Sequence, residues 1–207
     1  MKNLKYLIIT LATITITIVV MSAQNNTQND TQNSAQDGVQ IMTKKEAREV
    51  ARSARRKAAA IEDQILFRQA VQALKDQTFI IEVDQVIFPR GMIKYVSSIT
   101  NFIYIHNGKA IVQISPSNFR PGPNGVGGVT LQGTPSGITM NTDKKGNVYY
   151  NFMDQGVAIS ASISIQLIAN TNRVTVNIFP NFNSNNLTLM GNLLPFSKSN
   201  IFQGQTL

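Results

Sequence analysis

Two periods of apolar side chains divide the chain. Between residues 44 and 76 they recur at every third or fourth position, and from residue 79 onward they alternate with polar ones. The first spacing predicts one long helix, the second a succession of short strands. Thr43-Lys44-Lys45-Glu46 has the form of a capping box, which places the helix start there. The two halves of the helix differ. In the first, Ala47, Val50, Ala51, Ala54 and Ala58 make a thin stripe among arginines and lysines. In the second, Ile61, Ile65, Phe67, Ala70, Val71 and Leu74 are large enough to cover a sheet face. The second half is therefore expected to dock on the β-domain and the first to project.

The strand pattern is sharpest in NFIYIHNGKAIVQI, where two apolar runs flank Asn107-Gly108. That dipeptide suits the positive φ angles of a two-residue type I′ turn. Such a turn sets Ile103 opposite Val112, Ile105 opposite Ala110 and Tyr104 opposite Ile111. Both faces of this hairpin are apolar, which implies burial on both, one toward the main core and the other beneath the helix. Further strands are expected at 79–88, 129–132, 138–142, 148–153, 157–168, 173–179 and 187–194. In the run after Val157, branched apolar residues alternate with Ser160, Ser162, Ser164 and Gln166, the pattern of a strand with one face in a core and one in water or a polar lumen. Eight or nine short strands joined by turns predict a mainly β fold. It is an antiparallel meander, whether curled sheet, barrel or sandwich, with one N-terminal α-helix packed on it.

Residues 1–23 change the picture of where this domain works. Lys2 and Lys5 precede an apolar run from Tyr6 to Val20 and the small residues Ser22-Ala23, the layout of a secretory signal peptide. The Gln-, Asn- and Thr-rich stretch 24–42 lacks the apolar surface to offset its ordering entropy and reads as a disordered tether. Residues 43–207 are then expected to form a single domain that is exported, periplasmic or envelope-associated, with no membrane span left after cleavage. An uncleaved N-terminal anchor is the alternative and leaves the domain outside the cytoplasm all the same. The chain has no cysteine. That removes disulfides, thiolate zinc sites, a cysteine nucleophile and lipidation of an N-terminal cysteine. The net charge of +8 becomes about +6 without Lys2 and Lys5, and charge alone does not choose an anionic partner.

Candidate chemistry is sparse. The one histidine, His106, lies beside the Asn-Gly turn with only Lys109 near it in sequence. It reads as an exposed turn residue rather than a general base. Glu82 and Asp84, at i and i+2, share a strand face and invite comparison with a glycosidase pair, but no sugar cleft is marked. Asp143 and Asp154 read as turn residues. Gly125, Gly127 and Gly128 lack the lysine-serine ending and following helix of a phosphate loop, so they are taken as a structural corner together with Asn101, Asn107 and Gly108. Arg48, Arg52, Arg55 and Arg56 could meet an anionic surface such as lipid headgroups. A solvated face with Lys45, Glu49 and Arg52 paired along it is the plainer reading of that stripe. Nucleic acid is not expected, because no aromatics interleave with the basic residues.

The blocks ALKDQTFIIE, SSITNFIYIHNGKAIVQI, PNGVGGVTLQG, DKKGNVYYNF and GNLLPFSKSNIFQG, in this order, resemble an uncharacterised family of exported proteins of Bacteroides-type bacteria, catalogued as a domain of unknown function. The resemblance runs from about Thr43 to Gly204. It implies a helix-plus-β envelope domain without an assigned activity; some relatives carry a lipidation cysteine that this chain lacks.

Two functions follow as expectations. The first is a non-enzymatic pocket for an apolar or amphiphilic small molecule inside the curled sheet, with no cofactor. The second is an interaction module that places the basic half-helix on anionic lipid or another envelope component. A hydrolase ranks last, since it needs a cleft that gathers His106 with Glu82 or Asp84.

Overall fold

A computed structural model of the protein describes residues 43–115, 128–156, 160–181 and 186–203. The proposed signal peptide and tether, Gly125 and Gly127, and the last residues of the chain lie outside the described residues. A helix, α1 (Lys44–Lys75), leads into β1 (Phe79–Ile87), β2 (Ile93–Tyr95), β3 (Phe102–His106) and β4 (Lys109–Ile114). β5 (Val129–Thr142), β6 (Val148–Gly156), β7 (Ser160–Leu167), β8 (Arg173–Pro180) and β9 (Leu187–Pro195) follow. Every pairing is antiparallel, and β1 also pairs with β9. The sheet therefore closes into an eight-stranded barrel made of β1 and β3–β9, with β2 as an extra strand beside the upper part of β1. Closure removes most sheet edges. Among the described residues β2 and the part of β5 beyond β4, residues 134–142, each keep one unpaired side.

The hairpin register is the one the sequence predicts. Ile103 pairs with Val112, Tyr104 with Ile111 and Ile105 with Ala110, and Asn107 and Gly108 have φ of 52° and 70°. Two expected strands, 129–132 and 138–142, are instead one strand of 14 residues. A bulge at Gly137 (φ 61°) lies where three steps on β5 face two on β6. The extra residue flips the alternation, so Leu131 before it and Ile138 and Met140 after it all reach the core. A second bulge, at Asp84, does the same for Val83 and Val86 of β1.

An eight-stranded barrel is about wide enough for its own side chains to fill. Here Phe79, Ile81, Tyr150, Phe152, Ile163, Ile165, Leu167 and Val176 fill it, all nearly inaccessible. The serine face of β7 points outward, so that face meets water rather than a lumen. Only the last turns of α1 join this core: Ala70, Ala73 and Leu74 are buried there, with Phe67 and Val71 packed against it. Burying a side chain such as Leu74 contributes roughly 1.5–3 kcal/mol.

Ile61 and Ile65, expected to dock, are 59% and 46% exposed. The reason is angular. Ile65 precedes Leu74 by nine positions, two and a half turns, which puts the two on opposite sides of the helix. The outer face of the β3–β4 hairpin is buried as expected, but not by the helix. Ile80, Phe102 and Ile111 pack there with Tyr104, Leu194, Phe196 and Ile201, so the C-terminal segment is the cover. Gln113 pins that segment: its Nε2 donates to the carbonyls of Thr100 (3.0 Å) and Phe202 (2.9 Å), and its Oε1 accepts from the Thr130 hydroxyl (3.0 Å).

Candidate functional site

The structural corner is architectural where it is described. Asn101, fully buried, donates from Nδ2 to the carbonyls of Ser97 (2.9 Å) and Ser115 (3.2 Å), and its Oδ1 accepts the Ser115 N–H (2.7 Å). It thereby ties the start of β3 to the end of β4. At Gly128 an added Cβ would lie 1.9 Å from the Ile114 carbonyl oxygen, so the backbones approach too closely for any side chain.

His106, Glu82 and Asp84, the residues weighed for a hydrolase, do not meet. Asp84, the bulged residue, is bound by Arg173 through both guanidinium nitrogens on the outside of the barrel. Glu82 faces outward between Phe102 and Asn192. His106 lies at the opposite end of the β1–β3 ladder, past Ile105, which pairs with Phe79. At about 3.3 Å per residue, Asp84 is on the order of 16 Å further along β1. Asp143 is the turn residue expected: its carboxylate accepts the N–H groups of Lys145 (2.8 Å) and Asn147 (2.9 Å). Its pKa is held below the ordinary carboxylate range, chiefly by the Asn147 side chain, with burial opposing.

Two residues depart from expectation. His106 is half-buried rather than exposed, because its ring stacks on Phe196 (centroids 4.2 Å apart, 6° between planes). Its Nδ1 is buried with no hydrogen-bond partner among the described residues. The sequence shows no partner for it because Phe196 lies 90 positions away. This histidine borders a cleft of about 330 Å³ between the docked end of α1 and the end of β9. Gln69, Gln72, Ala73, Asp76 and Thr78 form one wall, and Pro195, Phe196 and Ser197 the other. Lys198 closes one side by donating to Gln69 Oε1 (2.8 Å).

Asp154 is not a turn residue either. It continues the inward-facing series Val148, Tyr150 and Phe152 of β6 and is only 4% exposed. Counting that series by twos is the signal in the sequence that finds it. Its partners across the sheet are Pro135 and Ala161. Gly133 leaves the space its carboxyl fills, since a Cβ there would sit 2.0 Å from Oδ1. Oδ1 has no hydrogen-bond partner among the described residues, and burial pushes the pKa up to about 6. Further down the same face, the Tyr150 hydroxyl is likewise unpartnered, and burial raises its pKa to about 12.

The basic half-helix is exposed at every position from Lys44 to Ala60 except the half-buried Ala47. Arg48, Arg52, Arg55 and Arg56 all face solvent, and among the described residues none is bridged to a carboxylate. The expected pairing of Lys45, Glu49 and Arg52 is also not made among the described residues. From Lys44 to Ala60 there are seven basic and two acidic residues. Among the described residues no helix is long and apolar enough to cross a membrane, and no cluster of three or more metal-ligating side chains occurs.

Comparison with known proteins supplies the family. The model of DUF4251, a domain of unknown function, matches residues 62–193. A crystal structure of a DUF4251 family protein from Bacteroides eggerthii is 47% identical, covering 69% of this chain and 96% of that chain, with a TM-score of 0.61. A search of curated proteins gives no match. The match extends from the middle of α1 to within two residues of the end of β9, so the chain belongs to the DUF4251 family.

Proposed function

We propose that this DUF4251 barrel is a non-enzymatic, exported module that holds to an anionic lipid surface through the arm of α1. One observation carries the reading: a helix anchored in the core by Leu74 leaves its first five turns exposed, with five net positive charges between Lys44 and Ala60. A solvated strut needs no such charge excess, whereas anionic headgroups attract each nearby Lys or Arg by about 1 kcal/mol. Sedimentation of the protein with phosphatidylglycerol-containing vesicles tests it. Reversal of Arg52, Arg55 and Arg56 to glutamate is expected to weaken binding by about 100-fold or more. Unchanged sedimentation, or equal binding to neutral phosphatidylcholine vesicles, counts against the arm.

A second reading, an amphiphilic ligand, draws on the cleft beside His106. Its volume of about 330 Å³ is at the lower end for small-molecule sites. Phe196 and Pro195 offer apolar contact, and Gln69, Gln72 and Asp76 offer polar groups. The packed barrel interior favours this cleft over the inside of the sheet. Titration with laurate, read by displacement of anilinonaphthalene sulfonate, should respond to Phe196→Ala; binding that ignores that change removes the cleft from consideration.

A further inference from the structure

Exposed large apolar side chains are not spread evenly over this molecule. Met92, Ile93, Tyr95 and Ile99 fall within eight residues, and Phe202 joins them through its N–H, which donates to the Ile99 carbonyl (2.8 Å). Tyr95 is 83% exposed. A concentration of this kind marks an interaction site. The same stretch holds an unpaired strand edge, because among the described residues β2 pairs with β1 on one side and with nothing on the other. The other such edge, residues 134–142 of β5 beyond β4, lacks this apolar concentration.

The backbone geometry shows which groups that edge offers. Phe88 N–H donates to Met92 O (2.8 Å) and Val96 N–H to Asp84 O (3.0 Å), so residues 92, 94 and 96 direct their peptide groups toward β1. By alternation, Ile93 and Tyr95 direct theirs to the free edge. Their side chains share the face of Ile87 and Gln85, their partners on β1, while Lys94 shares the face of Val86.

We propose that β2 is a docking edge for an extended peptide, which adds a strand by pairing with Ile93 and Tyr95. Three occupants compete, and the chemistry separates them. A lipid surface accepts apolar side chains but supplies no partners for strand-edge peptide groups. A second copy of β2, paired antiparallel about its centre, sets Lys94 against Lys94 at a close non-hydrogen-bonded position, where like charges repel. A different strand with an acidic residue at that position and apolar residues on either side satisfies all three features: the free edge, the exposed Ile93 and Tyr95, and the charge of Lys94. No acidic residue occurs from Phe88 to Thr100, and Arg90 adds a second positive charge.

The test uses the full chain and a terminally blocked Thr-Val-Glu-Val-Thr peptide, with Thr-Val-Lys-Val-Thr as its counterpart, followed by amide NMR and hydrogen exchange. The glutamate peptide is expected to protect the amides of Ile93 and Tyr95, leave that of Lys94 unchanged, and bind at least fivefold more tightly than the lysine peptide. Lys94→Glu is expected to invert that preference, and Tyr95→Pro, which deletes one free donor without touching a bond to β1, to abolish the protection. Equal affinity for the two peptides overturns the proposal. So does protection that appears with protein concentration alone, which would indicate self-pairing, or protection that appears only on vesicles, which would indicate lipid.

Discussion

The last turns of α1 and its first six belong to one unbroken helix with opposite fates. Ala70, Ala73 and Leu74 are sealed against the barrel core, while Val50, Ile61 and Ile65 lie in water. Both parts have an apolar stripe at helical spacing, so periodicity does not distinguish them. Phase does: the stripe through Ile61 and Ile65 and the one through Ala70 and Leu74 lie half a turn apart, and a single barrel can cover only one. The difference teaches that an amphipathic pattern shows where a helix can be covered, not which neighbour covers it.

The contrast is broken most forcefully at its sealed end. Leu74→Ala is expected to cost about 2–5 kcal/mol in denaturant unfolding, because the barrel strands around it cannot collapse into the gap. A cost below about 1 kcal/mol would mean the helix end is not part of the core.

Asp154 tests how closed the interior is. With a folded pKa of about 6 against about 3.9 unfolded, the native state holds its proton to higher pH. The contribution of Asp154 is fully present below about pH 4. Between about pH 4 and 6 the unfolded chain releases the proton first and stability falls, by on the order of 2 kcal/mol after allowance for solvent near the strand end. Asp154→Asn should flatten that slope in urea titrations from pH 4 to 8; an unaltered slope would place the carboxyl in water.

The smallest effect belongs to the arm. Ile61→Ala and Ile65→Ala should each shift stability by no more than about 0.5 kcal/mol, as for other exposed positions away from packed features. A larger loss in the isolated protein would reveal a contact of the arm with the folded domain.

Much of this fold was legible in the chain. Asn107-Gly108 fixed the register of its hairpin because a two-residue turn leaves no freedom to slip. The helix bounds and most strands followed from side-chain period. β2 escaped because three exposed residues carry no alternation to read. The continuity of β5 escaped because Pro135 and Gly137 look like chain breakers, yet one sits across from Asp154 and the other forms a bulge. Contacts at long separation were beyond local pattern. The stacking of Phe196 on His106, the tail over Phe102 and Ile111, and the β1–β9 seam each join residues about 90 or more positions apart. The basic arm was plain from composition, whereas the buried Asp154 needed the alternation of its strand to be counted two residues past Phe152.

The β1–β9 seam also sets an order of events. Until Leu187–Pro195 arrives, β1 keeps a bare edge through Ile80, Ile81 and Val83, and the core lacks the wall that Leu189 and Leu193 supply. Local hairpins form early, but a closure that spans more than 100 residues waits for the whole chain and is slow. A growing or partly threaded polypeptide therefore stays pliable until its final strand is delivered, and locks only then.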